Sequence, residues 1–523
     1  MGLTKLGTAD SDRFANLAAQ TFDLVVVGGG VNGAGIARDA AGRGLKVLLC
    51  ERDDFAQHTS SASTKLIHGG LRYLEFYDFK LVRHSLLERE ALIKIAPHII
   101  WPMRFVLPHH KGLRPKWMIR LGLFIYDHLV WHRSLPKTKQ VNLLTHDVGR
   151  ELSGDFTYGF EYSDCWVQDA RLVVLNAMDA ASKGATVLSR TACIGLSREN
   201  NEWTVSLQDF DRDNGETIRI KAKAVVNAAG PWVDGVAGQV SDLSNRASVR
   251  LVRGSHIIVP RQFEHEQPYI FQNADNRILF AIPFETDYTL IGTTDVEVDI
   301  ANVRDGISEQ EIDYLCDAFN AYVKQSIGRD DIVWTYAGVR PLFDDASKQA
   351  SKVTRDYVLV EDTDGAPIIS VYGGKVTTYR KLAEDVMDSL RKLDAFKFAD
   401  LPNSWTQHEV LPGGDMSTSL HQCVSDAQSR FPELDAAMVA RYVRHYGTRV
   451  DKILTDRCTV QSLGVHFGAD LYQAEVDYLM YNEYARKAED ILWRRTKLGL
   501  KMTPENIKTL SDYMSARNVE TTE

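Results

Sequence analysis

An apolar run from Phe22 to Val27 ends in a glycine turn, and the alanine-rich stretch 33–41 that follows favours a helix. A second apolar run, 46–50, ends on Glu51. The glycines Gly28, Gly30 and Gly33 have the spacing G-x-G-x-x-G within this βαβ pattern. The combination predicts a dinucleotide site, with the pyrophosphate at the helix N-terminus and a ribose on Glu51. The alternative is a glycine-rich turn in an ordinary βα unit.

Further along, the pattern changes to short strands and then to helices. Apolar alternation predicts a hairpin around Asn214-Gly215 and an antiparallel meander over 269–272, 277–284 and 288–293. A helical period begins near Phe79 and recurs after the linker that ends at Gly414, for instance over 475–492. We therefore predict four parts: a leader at 1–21, a dinucleotide-binding domain at 22–404, a substrate sheet within it, mainly at about 240–345, and a helical cap at 405–523.

Composition narrows the class of protein. The 523 residues are 44% hydrophobic and 25% charged, as expected of a globular protein with two or three domains. The net charge of −9 argues against nucleic-acid binding. Scattered cysteines, no apolar run of membrane-spanning length and no signal peptide predict a cytoplasmic protein. His128 and His132 lack a third ligand, so we predict no metal.

Two later glycine turns bear on the choice of dinucleotide. Gly230 follows the strand predicted at 217–226, and Gly373-Gly374 follows one near Val371. Singly, each turn is best explained as the end of a strand. Together they favour FAD over NAD, because a long, tightly held flavin needs contacts from distant segments of the chain.

Cations accompany these turns. Arg72, Arg340 and Lys375 each lie within two residues of a glycine, and three cations at one pocket suit a phosphate dianion. Ordinary surface ion pairing is the alternative for each of them. His256 is a candidate base, because imidazole titrates near neutral pH, although a lone histidine in a strand is commonly structural.

The stretch 101–139 reverses the local charge of an acidic chain. Its eight cations stand against one acid, Asp127, and are interleaved with Trp, Phe and Tyr. Such a composition suits an anionic lipid surface, whereas the alternative is a helix that packs on the core and exposes a basic side.

These motifs together resemble the bacterial FAD-dependent, membrane-associated glycerol-3-phosphate dehydrogenases. The resemblance runs from about Asp23 to the C-terminal helices. It is most specific over 60–75, 160–167, 291–295, 334–341 and 373–380.

The resemblance implies an α/β fold with an FAD-binding domain of glutathione-reductase type, an antiparallel-sheet substrate domain and a C-terminal α-helical domain. It implies oxidation of sn-glycerol 3-phosphate to dihydroxyacetone phosphate, by hydride transfer from C2 to flavin N5. It also implies electron transfer to a membrane quinone and peripheral attachment to the inner face of the cell membrane. The sequence does not set the oligomeric state, for which a homodimer is one option.

Site residues follow from the same motifs. The implied substrate contacts are Arg72, Tyr73, Arg340 and Lys375, with His256 as the base and Arg340 stabilising the developing negative charge. Further FAD contacts, beyond those of the glycine turns, are expected at Ser61, Ser63, His68, Gly69, Gly70, Gly338, Gly374 and Lys375.

Three other functions are compatible with parts of the pattern. One is an oxidase of the same fold that reduces oxygen, and another is a flavin amine oxidase of the sarcosine type, which has no need of three phosphate-directed cations. The third is a nucleotide-binding regulatory protein without turnover.

Overall fold

The structure is a computed structural model that describes residues 14, 16–18, 20–110, 112–131, 134–154, 156–199, 201–211, 215–245, 247–344, 356–393 and 401–520. Most of the leader predicted at 1–21 lies outside these residues, as does Asn214 of the predicted hairpin turn. Phe14 and Leu17 are described, and both are buried against the first sheet.

Strands make up two large sheets and one small hairpin. In chain order the strands are β1 (Thr21–Val27), β2 (Val47–Cys50), β3 (Leu66–Ile67), β4 (Ile100–Pro108), β5 (Lys139–Asn142), β6 (Tyr158–Val167), β7 (Thr186–Leu188), β8 (Thr191–Glu199), β9 (Glu202–Asp209), β10 (Thr217–Asn227), β11 (Val249–Pro260), β12 (Tyr269–Gln272), β13 (Ile278–Phe284), β14 (Tyr288–Gly292), β15 (Val296–Glu297), β16 (Trp334–Phe343), β17 (Val358–Asp362), β18 (Ile368–Tyr372), β19 (His466–Gly468) and β20 (Leu471–Tyr472).

Helices cover the first sheet and build the C-terminal part of the chain. They are α1 (Val31–Gly42), α2 (Phe79–Ile95), α3 (Lys116–His128), α4 (Asp169–Ser182), α5 (Val233–Ala237), α6 (Glu309–Asn320), α7 (Tyr379–Arg391), α8 (Leu420–Arg430), α9 (Ala436–Tyr446), α10 (Val450–Leu454), α11 (Gln473–Asn482) and α12 (Pro504–Glu520).

The first sheet has the order β17-β18-β10-β1-β2-β7, with β9 and β8 extending it from β10. Strand β1 is parallel to β2 on one side and to β10 on the other. Its residues Leu24 to Val26 are fully buried because α1, α4 and α7 cover one face of the sheet and a cluster around Trp203 packs on the other. A strand buried on both faces has the continuous apolar run seen in the sequence, so the predicted βαβ unit is confirmed.

The second sheet is mostly antiparallel and has the order β15-β11-β14-β13-β12-β4-β6-β3, with β16 on β11 and β5 on β6. The predicted meander is confirmed as β12, β13 and β14. Strands β11–β16 lie within the stretch 240–345, as expected for the main part of the substrate sheet. The sheet also takes β3–β6 from residues 66–167, because β4 pairs in parallel with β12 and so joins two distant segments.

The basic aromatic stretch 101–139 does not form one surface. Phe105 on β4 is buried in the second sheet, and Arg104 bonds to Ser163 and Glu161 on β6. Lys111 and Arg133 lie outside the described residues. Among the described residues, α3 and the turn after it keep the predicted amphipathic character, whereas β4 combines side chains that are buried in the sheet with side chains that are partly exposed.

The C-terminal part is helical, but the single helix predicted over 475–492 is wrong. Helix α11 ends at Asn482, and after a break the chain forms a π-helical turn, Asp490–Thr496. The break occurs because the Asp490 carboxylate is buried, where it accepts the backbone amides of Arg486 and Lys487 and pairs with Arg190. No helix among the described residues is both long and apolar enough to span a membrane.

A buried ion pair joins α4 to the C-terminal part. Arg171 donates to both carboxylate oxygens of Glu483 at 2.8 Å, and the two side chains are 2% and 0% exposed. Removal of one partner would leave a buried charge without compensation, which is more costly than losing the pair as a whole.

We predict that Arg171→Met lowers the free energy of unfolding by about 3–5 kcal/mol. Urea denaturation followed by circular dichroism measures this change. Arg150→Met is the control, because its pair with Asp147 is exposed and should contribute less than about 1 kcal/mol. Equal stabilities of the two variants would contradict a role for the buried pair in domain docking.

Candidate active site

In the glycine turn between β1 and α1, the backbone of Gly33 packs directly on the backbone of Gly28. A Cβ on Gly33 would lie 1.8 Å from the carbonyl oxygen of Gly28, which itself has φ of +109°. Helix α1 begins at Gly30 without a side-chain cap, and its first amide, that of Val31, donates to Ser60 Oγ. The helix N-terminus is therefore open to an anionic ligand.

A cavity of about 510 Å³ lies at this turn, with Gly28, Gly30, Glu51 and Gly230 in its wall. The Glu51 carboxylate accepts the amide of Gly29 at 2.6 Å and that of Asp53 at 2.8 Å. Burial raises the pKa of Glu51, against the effect of these amides. A Cβ on Gly230 would meet nothing within 4 Å, so the wall is open at that point.

A second cavity, of about 290 Å³, lies between the two sheets, and Thr59 is common to both cavities. It collects most of the predicted site residues: Ser63, His68, Gly70, Arg72, Tyr73, His256, Gly338, Arg340, Gly374 and Lys375. The two cavities, which share one wall residue, thus present a dinucleotide turn and a cluster of cations. Their chemistry fits FAD, with a substrate beside its second half.

The three predicted cations all line the second cavity, but they differ in the groups that they contact. Lys375 Nζ is buried without a hydrogen-bond partner among the described residues and lies 4.1 Å from the Tyr73 ring centroid. Arg72 donates to the carbonyl of Asn276 at 2.5 Å. Arg340 forms an ion pair with Asp295. Of the three cations, Lys375 is therefore the one whose N–H donors have no acceptor among the described residues.

His256 lies on β11 in the wall of the same cavity and is buried. Its Nε2 is 2.9 Å from Thr64 Oγ1, whereas Nδ1 has no hydrogen-bond partner within the described part of the chain. Burial, and after it the charges of Lys65 and Arg340, hold the pKa of His256 well below its usual value. The imidazole is therefore neutral at physiological pH and able to accept a proton.

Three predicted cofactor residues lie outside the walls of these cavities. Gly33 packs on the turn itself, Ser61 points its carbonyl at Lys65, and the Gly69 amide donates to Tyr126 at 2.8 Å. Of the residues that they contact here, Gly28 lines the first cavity, whereas Lys65 and Tyr126 line neither. Their assignment as direct contacts stays a prediction.

Sequence reasoning gave no role to several residues of the site. Asp295 neutralises Arg340, Tyr336 stacks on His256, and Asp164 accepts from Tyr126 in the cavity wall. Each stands within a motif quoted for the resemblance. No local pattern reveals these partners, because the contacts join residues 38 to 80 positions apart.

The fold and these two adjoining cavities define a flavoprotein oxidoreductase. The chain belongs to the FAD-dependent oxidoreductase family, whose model matches residues 23–380. A model described as the C-terminal domain of alpha-glycerophosphate oxidase matches residues 404–517. Both matches confirm the resemblance and the fold class drawn from the motifs.

Similar proteins extend over almost the whole chain. It is 49% identical to D-erythritol 1-phosphate dehydrogenase of Brucella abortus, over 96% of this chain and 99% of that protein. It is 48% identical to glycerol-3-phosphate dehydrogenase of Pseudomonas aeruginosa, over 96% of each chain. The glycerol-3-phosphate dehydrogenase of Bacillus halodurans, solved with FAD, superposes with a TM-score of 0.73 at 25% identity, over 98% of each chain.

We predict that Gly33→Ala abolishes FAD binding, because the added methyl group collides with the Gly28 carbonyl and displaces the turn. The flavin absorbance of the purified protein measures this loss. Gly122→Ala on α3 is the control, since its Cβ would meet nothing within 4 Å. Normal flavin content in Gly33→Ala would show that the turn does not hold the cofactor.

Proposed function

We propose that the protein oxidises sn-glycerol 3-phosphate to dihydroxyacetone phosphate, using bound FAD. The observation that carries this proposal is the Lys375 ammonium, which is buried in the cavity wall and has no hydrogen-bond partner among the residues that the structure describes. A phosphate would supply charge-assisted hydrogen bonds to it, and Arg72 and Arg340 stand in the same wall. An amine substrate of the sarcosine type brings one carboxylate and has no need of three cations.

His256 is the proton acceptor in this reaction. When Nε2 donates to Thr64 Oγ1, the Nδ1 atom presents its lone pair. The C2 hydroxyl of the substrate gives its proton to this lone pair as the C2 hydrogen leaves. FAD, when bound, supplies the acceptor of the hydride.

Arg340 acts on the developing charge of the C2 oxygen. Its guanidinium is one-third exposed and paired with Asp295, so it is oriented before substrate arrives. A planar guanidinium keeps further N–H donors beyond those that Asp295 accepts. Cations at the phosphate fix the pose, so that binding energy remote from C2 aligns the reacting atoms.

A second candidate substrate is D-erythritol 1-phosphate, which one hydroxymethylene group distinguishes from glycerol 3-phosphate. The relative from Brucella abortus, with 49% identity over nearly the full chain, favours it. Both substrates offer a phosphate for Lys375 and a secondary hydroxyl for His256. These contacts fit both polyol phosphates, and the rate at which each reduces the bound flavin distinguishes them.

Anaerobic reduction of the bound flavin tests the proposal. We expect bleaching by sn-glycerol 3-phosphate and none by glycerol or sarcosine, followed by faster reoxidation with a quinone than with oxygen. Faster bleaching by D-erythritol 1-phosphate would replace the proposed substrate. Preferential reoxidation by oxygen would make the protein an oxidase, and no bleaching by any compound would favour a regulatory protein.

We predict that Lys375→Met raises KM for sn-glycerol 3-phosphate by about 10- to 150-fold, equivalent to about 1.5–3 kcal/mol of lost charge-assisted hydrogen bonding. Steady-state kinetics with a soluble dye acceptor measure this rise. Lys381→Met, on the next helix, is the matched control and should keep the normal KM. Loss of FAD from Lys375→Met with an unchanged KM would assign this lysine to the cofactor instead.

We further propose that α3 attaches the protein to an anionic membrane, at the inner face of the cell membrane, where a quinone receives the electrons. Trp117, Leu121 and Phe124 lie on one face of α3 and are 65%, 50% and 58% exposed, and Trp131 beyond the helix is 93% exposed. Arg120 lies on the same helix. Aromatic and basic side chains of this kind suit lipid headgroups. The homodimer stays a prediction.

The opposite face of α3 supports a short path for electrons. Tyr126 is buried there, and its hydroxyl accepts the Gly69 amide and donates to Asp164 at 2.7 Å. Gly69 immediately precedes the loop that carries Arg72 and Tyr73. The proposed lipid face is thus one helix away from the cavity.

We predict that the double variant Trp117→Ser/Phe124→Ser loses most of its binding to anionic liposomes and most of its quinone-linked activity. Activity with a soluble dye should persist, because neither residue reaches the cavity. Liposome flotation measures the binding, and Leu144→Ser/Tyr481→Ser removes two exposed apolar side chains elsewhere as a control. Unchanged flotation would place the membrane face outside α3.

A further inference from the structure

Lys65 is a buried cation that the reaction above does not use. Its side chain is 1% exposed. Nζ donates to Asp169 at 2.9 Å and to the Ser61 carbonyl at 2.9 Å. The same ammonium lies 4.9 Å from the centroid of the Tyr336 ring. Lys65 is therefore held at one place, against an aromatic face, by groups from two segments of the chain.

Tyr336 connects this ammonium to the proposed base. Its ring stacks on the imidazole of His256, with 4.6 Å between centroids and 14° between planes. The ammonium of Lys65 is thus within cation–π distance of the ring that stacks on the imidazole. The Tyr336 hydroxyl donates to the Ser63 carbonyl at 2.8 Å, which fixes the far end of the side chain.

Residues 63–65 thus contact both rings of the stack. The Ser63 carbonyl accepts the Tyr336 hydroxyl, Thr64 Oγ1 is hydrogen-bonded to His256 Nε2, and the Lys65 ammonium lies over the Tyr336 ring. Asp169 accepts from Ser63 Oγ at 2.7 Å as well as from Lys65, so it locks the turn that presents all three.

We propose that Lys65 is a positioning residue for His256: held by Asp169, its ammonium fixes the Tyr336 ring that stacks on the imidazole. This inference rests on the proposed function, in which His256 accepts the proton. It goes beyond that function by assigning a role to a residue that lines neither the first nor the second cavity.

Charged groups approach His256 from two elements. Arg340 faces it from β16, where it is paired with Asp295, and Lys65 faces it through Tyr336, with Asp169 behind. Glu285 and Lys497 lie further behind, in a small cavity that Lys65 and Asp169 also line. The element on the remaining side, β14, contributes Gly292, which has no side chain. Both near charges are positive, and both lower the pKa of His256.

The direction of the effect follows from this sign. A nearby cation disfavours the imidazolium form, so loss of the Lys65 charge raises the pKa of His256. The base then becomes protonated, and inactive, at a higher pH. A charge separated from an imidazole by one aromatic ring, in a partly buried site, changes the pKa of that imidazole by about one unit.

We expect Lys65→Met to move the acid limb of the kcat/KM profile upward by about one pH unit. Lys65→Arg, which keeps the charge, should restore the normal profile. Lys65→Met leaves the Asp169 carboxylate buried and unpaired, so the double variant Lys65→Met/Asp169→Asn is the substitute if the single variant does not fold. It removes both charges of the pair, and we expect a smaller upward shift from it, because loss of the Asp169 anion offsets only part of the loss of the Lys65 cation, which is the charge of the pair that acts most on His256. Lys46→Met is the control, since that lysine also covers an aromatic ring, Phe22, but far from His256.

Titration of the histidine resonances of the holoenzyme by NMR reads the imidazole directly, whatever the turnover. His256→Asn identifies the resonance by its disappearance, and loss of turnover in that variant tests the proposed function separately. A shifted resonance with an unshifted kcat/KM profile would overturn the role of His256 as base but keep the positioning by Lys65. An unshifted resonance in both the single and the double variant would overturn the inference itself.

Discussion

Lys65 and Asp169 form an ion pair in which each side chain is 1% exposed, at the point where α4 meets the turn before β3. Asp169 also accepts the Ser63 hydroxyl, so one carboxylate orders the whole turn. The segment that starts here runs through Gly70 to Tyr73 and forms one side of the second cavity. Because an unpaired charge in this position would cost several kcal/mol, the turn has little freedom to rearrange.

The electrostatics of the second cavity depend on the partners that its three cations meet. Of the cations in its wall, Arg340 has a carboxylate, Arg72 has a backbone carbonyl, and Lys375 has the face of the Tyr73 ring. A ring face compensates an ammonium less fully than an anion does. The cavity therefore favours a ligand that brings its own negative charge, and the neutral His256 beside it can act on an uncharged hydroxyl.

Two surrounding elements stabilise this arrangement from outside. Helix α3 places Tyr126 against Gly69 and Asp164, and Arg89 on α2 binds the same Asp164 carboxylate at 2.9 Å. On the other side, Trp493 of the π-helical turn stacks on Trp334 at 4.4 Å, next to Tyr336. The helix that carries the proposed membrane face, through its buried side, and the C-terminal part of the chain thus contact the residues that hold the active-site wall.

The sequence by itself determined the features that depend on neighbouring residues. The glycine turn from Gly28 to Gly33, the strand that precedes it and the acid at Glu51 follow from local spacing, since a tight βα turn restricts side chains at those positions. The meander over β12–β14 follows from alternation and short turns. The cations were also visible, because each stands beside a glycine.

Only the tertiary structure decided which charges remain uncompensated and which surfaces are exposed. Asp295 neutralises Arg340, Asp169 pairs with Lys65, and no described residue supplies an anion to Lys375. The stretch 101–139 has one composition, yet β4 buries Phe105 while α3 exposes Trp117 and Phe124. These outcomes depend on pairings between distant strands and helices, and no local pattern of residues encodes the partner that a side chain meets after the two sheets have packed together.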